Sequence, residues 1–131
     1  MDRAHSRQDA RTLGRFLLVG GSGVLVNSLA LFVLYGKAGL PLIVASAVSV
    51  ELAITNNFVW NDRWTFGRTG PSLVRFVKFN LVSLVGLAVT TGTAWLLVQQ
   101  AGLNYLVANL AGIGLATACN FLANAQWTWR P

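Results

Sequence analysis

The sequence predicts an all-α membrane protein: four transmembrane helices built as two helical hairpins that repeat in parallel, with both termini cytoplasmic. Three observations lead there. The 131 residues are 54% hydrophobic and only 11% charged, well short of the roughly 25% charge of a soluble domain. The apolar residues gather into four runs, each close to the 20 or so residues that span hydrocarbon at the helical rise. The chain also matches itself when shifted by 63 residues.

Taken in order, residues 1–14 are polar and Arg-rich and read as a cytoplasmic tail. The apolar stretch behind them is too long for a signal peptide and lacks a clear cleavage site. The four spans are expected over residues 16–35, 42–61, 79–98 and 105–124, within one membrane domain of residues 15–131. Gly36 to Pro41 and Gln99 to Asn104 form tight hairpin loops, and Asp62 to Lys78 form a polar central connection. Lipid offers the backbone no hydrogen bonds, so runs of this length satisfy their own amides and carbonyls only as helices.

Orientation follows from the basic residues. Nine of the ten lie before the first span, in the central connection or at the chain end, and Lys37 stands alone in the first hairpin loop. Lys and Arg are retained inside, which places both termini and the central connection in the cytoplasm. Trp60, Trp64, Trp127 and Trp129 then mark the inner boundary and Tyr35, Trp95 and Tyr105 the outer one, where amphipathic rings settle at headgroup level.

The 63-residue shift pairs Val44, Ala45, Leu52, Ala53, Asn57, Phe58, Asn61, Trp64 and Thr65 with Val107, Ala108, Leu115, Ala116, Asn120, Phe121, Asn124, Trp127 and Thr128, nine identities in 22 positions. Arg75-Phe76 echoes Arg15-Phe16 at a slightly different offset. Each repeat holds two spans, so both enter the membrane in the same direction. Ala45, Ser49, Ala53, Asn57 and Asn61 recur every fourth residue, as do Ala108, Gly112, Ala116, Asn120 and Asn124, and each series forms one helix face. Small residues on such a face permit close backbone approach, and amides hydrogen-bond across the seam. The expectation is that helices two and four face each other, or a shared axis, along it. The four asparagines read either as interhelical bonds or as ligand contacts.

Glu51 is the one ionisable residue deep in a span. A carboxyl there is costly unless it faces protein or water or is protonated, which makes it a functional candidate. Its repeat counterpart is Gly114. Other motifs carry less. Gly20 to Gly23 lacks the strand and the Lys-Ser/Thr ending of a phosphate loop and reads as close packing. His5 has no nearby partner, Cys119 is a lone cysteine in an apolar run, and no nucleophile, base and orienter assemble. The chain is therefore expected to be neither an enzyme nor dependent on a metal or cofactor. Its basic residues lie between apolar runs rather than over a folded face, which excludes a nucleic-acid partner.

Arg15 to Gly20, Glu51, Asn57-Phe58, Arg63 to Phe66, Arg75-Phe76, Asn80 to Gly86, Asn120-Phe121 and Trp127 to Trp129 together resemble the GtrA-like family, in its branch of small membrane partners of polyprenyl-phosphate glycosyltransferases. Ala125-Gln126 departs from the pattern, where a basic residue is usual. The resemblance implies a role in cell-surface polysaccharide synthesis at the cell (inner) membrane, by translocating a polyprenyl-phosphate-linked sugar as a flippase or flippase subunit. The alternative is a scaffold that recruits a membrane glycosyltransferase. The residues suit this: Arg15, Arg63, Arg75 and Lys78 stand at the level of a lipid phosphate, and Glu51, Asn57, Asn61, Asn120 and Asn124 offer polar contacts to a sugar. Arg3, Arg7 and Arg11 are expected to serve topology alone. Four helices can hardly enclose a glycolipid headgroup, so a homo-oligomer or partner complex is expected. A small proton-coupled drug exporter of dual insertion is disfavoured by the one-sided basic residues.

Overall fold

The computed structural model describes residues 3–130, with side chains from residue 5; positions 1, 2 and 131, the extremities of the expected tail and membrane domain, lie outside the described residues. Helix α1 covers Arg3–Leu31 and runs on through a π-helical turn, Phe32–Lys37. Helix α2 covers Leu42–Trp60 and closes in the π-helical turn Asn61–Thr65. Helix α3 covers Leu73–Ala101, and α4 covers Tyr105–Ala123, closing in the π-helical turn Asn124–Thr128. No strand occurs among the described residues, and all four helical segments are long and apolar enough to cross a membrane.

Two helices begin earlier than expected. The end of hydropathy is not the end of helicity: Arg, Gln, Ala and Leu around residues 3–13 are good helix formers, so α1 continues through the expected tail. Helix α3 begins at Leu73 rather than 79 because Ser72, in an extended conformation, accepts a hydrogen bond from the Arg75 N–H at 3.2 Å. That side chain satisfies one of the orphan donors of a first turn. At the other end Gly102 adopts φ +64° and its N–H returns to the Leu97 carbonyl, a left-handed cap that a side chain would strain. Asn104 then caps α4 by accepting from the Leu106 N–H at 2.8 Å.

The chain forms two compact hairpins divided between Pro71 and Ser72. In the first, α1 packs along α2; in the second, α3 packs along α4. Ala45, Ser49, Ala108, Gly112 and Ala116 are all buried, and the small-residue faces are engaged inside each hairpin. A Cβ at Gly23 would strike the Asn57 side chain, one at Gly86 would strike Asn120, and one at Gly112 would come within 2.6 Å of the Thr90 carbonyl oxygen. Of the glycines in the Gly20–Gly23 run, only Gly23 has this role, since Gly20 and Gly21 face open space. The contacts of the seam expected between helices two and four are thus made by each helix to its own hairpin partner.

The outward faces are apolar. Ile43 is 85% exposed, Leu18 and Leu110 68% each, which suits acyl chains and would be a liability in water. Hydroxyls along the helices bond back to the preceding turn: Ser22 to Val19, Thr55 to Glu51, Ser83 to Phe79, Thr90 to Gly86 and Thr117 to Ile113. Each donates within its own helix, as a polar group in hydrocarbon must.

Candidate functional site

Both hairpins build the same structure at their arginine-rich ends, 63 residues apart. In the first, Phe16 is buried in α1, the Arg15 guanidinium lies 5.0 Å from the Trp64 ring centroid, and its Nη1 donates to the Trp64 carbonyl at 2.9 Å. In the second, Phe79 is buried in α3 and the Lys78 ammonium lies 5.2 Å from the Trp127 ring centroid. The structural counterparts of Arg15-Phe16 are therefore Lys78-Phe79, and not the expected Arg75-Phe76. Phe79 also meets Trp129 edge-on, with centroids 5.4 Å apart. A cation over an indole face gains about 0.5–1 kcal/mol at a solvated site and more where water is excluded.

Beneath each cation–indole pair the helix ends in a π-helical turn locked by one repeated contact. The Thr65 hydroxyl donates to Asn61 Oδ1 at 2.7 Å, and the Thr128 hydroxyl donates to Asn124 Oδ1 at 2.7 Å. All four residues are buried, Asn61 and Asn124 to within 1%. Such turns shift the following side chains around the helix axis and recur at functional sites. Here they aim Trp64 and Trp127 back toward the first helix of each hairpin.

Each hairpin presents an apolar groove against its tryptophan, and here the repeats diverge. The first groove, of about 530 Å³, is lined by Leu18, Val19, Ser22, Trp60, Arg63 and Trp64. The second, of about 360 Å³, has Leu81, Val82, Ala123 and Trp127 at the equivalent positions, with Val85 in place of Ser22. Across the 63-residue shift, Trp60 becomes Ala123 and Arg63 becomes Gln126. Only the first groove combines an apolar floor, two indoles and an exposed guanidinium. A separate groove of about 490 Å³ is lined by Arg7, Gln8, Arg11, Thr12, Arg15 and Thr65. Arg15 lies between the two grooves of the first hairpin, lining the basic one while stacking on a wall of the apolar one.

The expected site residues are distributed as follows. Arg15 and Arg63 come together around Trp64, and Lys78 lies in the second hairpin on Trp127. Arg75 is half-buried in the first turn of α3, beside its cap. Asn57 is half-buried, accepts from Asn56 Nδ2 at 3.3 Å and abuts Gly23; Asn56 also donates to Ser22 at 3.0 Å. Asn120 abuts Gly86 and lines the second groove. Asn61 and Asn124 are enclosed in the turn locks. Glu51 is exposed on α2, about 120° around the helix from Asn57, and so stands apart from the asparagine seam.

Sequence reasoning overlooked Trp60, Ser22, Arg7 and Arg11 as lining residues. The signal for the cation–indole pairs was present, since the 63-residue shift carries Arg15 to Lys78 as well as Trp64 to Trp127. No group of three or more His, Cys, Asp or Glu suited to a metal occurs among the described residues.

Comparison with known proteins adds two relatives and a family. A dolichol-phosphate mannosyltransferase of Pyrococcus furiosus is 41% identical over 117 residues, 88% of this chain but only 33% of that protein. The chain thus spans about a third of that relative. An uncharacterized membrane protein, YngA of Bacillus subtilis, is 29% identical over 130 residues, covering 94% of this chain and 82% of its own length. Residues 15–129 match the family described as GtrA/DPMS, transmembrane domain. With four apolar helices, two hairpins and this match across nearly its whole length, the chain is a multi-pass membrane protein that belongs to the GtrA/DPMS transmembrane-domain family.

Proposed function

We propose that the protein binds a polyprenyl-phosphate-linked sugar and translocates it across the cell (inner) membrane in the synthesis of a surface polysaccharide. The observation that carries this reading is the first groove. Its apolar floor of Leu18 and Val19 suits an isoprenoid chain, and Arg63 with Arg15 at its tryptophan-lined end suits the phosphate. Guanidinium groups recognise phosphate oxygens through paired N–H donors. The positive-inside bias of the chain puts this end on the cytoplasmic face, where a lipid-linked sugar would load. Lys78 and Arg75 supply the corresponding cations of the second hairpin. Glu51, Asn57 and Asn120 are the groups open enough to meet a sugar, whereas Asn61 and Asn124 act by holding the tryptophan-bearing turns.

A second reading, favoured by the mannosyltransferase of which this chain spans a third, is a scaffold that recruits a glycosyltransferase to the membrane and itself transfers no sugar. Liposomes containing the purified protein and a polyprenyl-phosphate sugar separate the two. A translocator makes the sugar accessible to an added impermeant reagent, and that activity falls in Trp60→Ala, Arg63→Gln and Glu51→Gln. A scaffold gives no protein-dependent movement and is indifferent to Glu51→Gln.

A further inference from the structure

We propose that Arg7, Arg11 and Arg15, with Thr65 behind them, form a second binding site, specific for a phosphate-bearing lipid headgroup at the membrane surface. Arg7 and Arg11 precede the segment that matches the family model, which starts at residue 15. Their positions are set by continuous helix: α1 runs unbroken from Arg3 to Leu31, and a four-residue spacing turns each arginine only about 40° from the last. The three guanidinium-bearing residues therefore share one face and line one groove of about 490 Å³.

The groove differs from a diffuse basic tail in two ways. Arg15 is held in place by the Trp64 ring and the Trp64 carbonyl, so one cation is positioned before any ligand arrives. Thr65, buried at the back of the groove, spends its hydroxyl proton on Asn61 and fixes the wall. None of the six lining residues is acidic. Three arginines without a lining carboxylate match a phosphate group, whose several oxygens can engage more than one guanidinium fork where a single carboxylate engages one.

Two lipids bring that chemistry to this place: the polyprenyl phosphate itself, entering past Arg15 from the apolar groove, and an anionic phospholipid of the bilayer. The proposal requires neither translocation nor a sugar, and it fails separately from the reading above. The test uses the full chain in phosphatidylcholine nanodiscs doped either with a polyprenyl monophosphate or with phosphatidylglycerol, measuring lipid retained per protein. Both faces of a nanodisc are open, so altered insertion cannot imitate lost binding.

Arg7→Gln/Arg11→Gln is expected to lower retention of one lipid or the other on the order of 30-fold, from about fivefold per basic residue near the surface. Arg7→Lys/Arg11→Lys should recover part of it, since charge persists without the fork. Loss confined to polyprenyl phosphate identifies the carrier as the ligand, and loss confined to phosphatidylglycerol identifies the bilayer. Retention of both lipids at the wild-type level by the Gln variant overturns the site. If wild-type protein retains phosphatidylglycerol in an Arg7- and Arg11-dependent way but no polyprenyl phosphate, the site stands and the carrier reading falls.

Discussion

Thr128→Val probes the turn lock that both hairpins share. Valine keeps the β-branched shape of threonine and removes the one hydroxyl that donates to Asn124 Oδ1 at 2.7 Å. Asn124 is 0% exposed, and its Nδ2 already has no hydrogen-bond partner. The abandoned oxygen cannot turn to solvent, so the variant should lose about 1–3 kcal/mol, the cost of a buried acceptor left unsatisfied. Thr128→Ser restores the donor and should recover most of that. Asn124→Leu/Thr128→Val removes both partners and should cost less than the two single changes added together, because no orphan remains. Unfolding by sodium dodecyl sulfate in mixed micelles, followed by far-ultraviolet circular dichroism, reads these differences as shifts in midpoint. A wild-type midpoint for Thr128→Val, or strict additivity in the double variant, would refute the argument that the hydroxyl satisfies a closed site.

Three further outcomes rest on particular contacts and a fourth on the charge bias. Gly112→Ala would set a methyl 2.6 Å from the Thr90 carbonyl oxygen, with the Thr90 backbone carbons at 3.3 Å; the helices must part, and the second hairpin should lose about 1–3 kcal/mol by overpacking, measured in the same titration. At the equivalent position Ser49 is fully buried with an unpartnered hydroxyl, so Ser49→Ala should be neutral or slightly stabilising. Arg15→Gln removes a stacked, hydrogen-bonded cation, and Trp64 should become more accessible to a soluble fluorescence quencher, whereas Arg130→Gln, exposed at the chain end, should leave quenching unchanged. Finally, cysteines placed at Lys37 and at Gly70 should label from opposite sides of the membrane in sealed cells; labelling from one side would contradict the positive-inside assignment.

Much of the architecture was legible in the residues. Four spans follow from runs of about 20 apolar residues, because hydrocarbon thickness and helical rise leave little freedom. The ends of α1 and α3 were less so. Hydropathy marks where a helix meets lipid, but Arg3–Leu13 continues as helix on propensity, and Ser72 starts α3 by capping; neither is a hydrophobic signal. The small-residue faces were identified correctly as close-packing surfaces, yet a face does not name its partner. Gly23 opposite Asn57, and Gly86 opposite Asn120, direct those contacts within each hairpin.

The site divides in the same way. By itself the sequence determined that this is a membrane protein of four helices, that two halves repeat, and that arginine and tryptophan gather at one end of each half. Those properties depend on composition and spacing along the chain. Only the tertiary structure decided that Arg15 stacks on Trp64 and Lys78 on Trp127, that Asn61 and Asn124 are enclosed, and that Arg7 and Arg11 share a groove with Thr65. Each depends on which side chains two helices and a π-helical turn bring within a few ångströms, and residues some 50 apart in sequence carry no local signal of that approach.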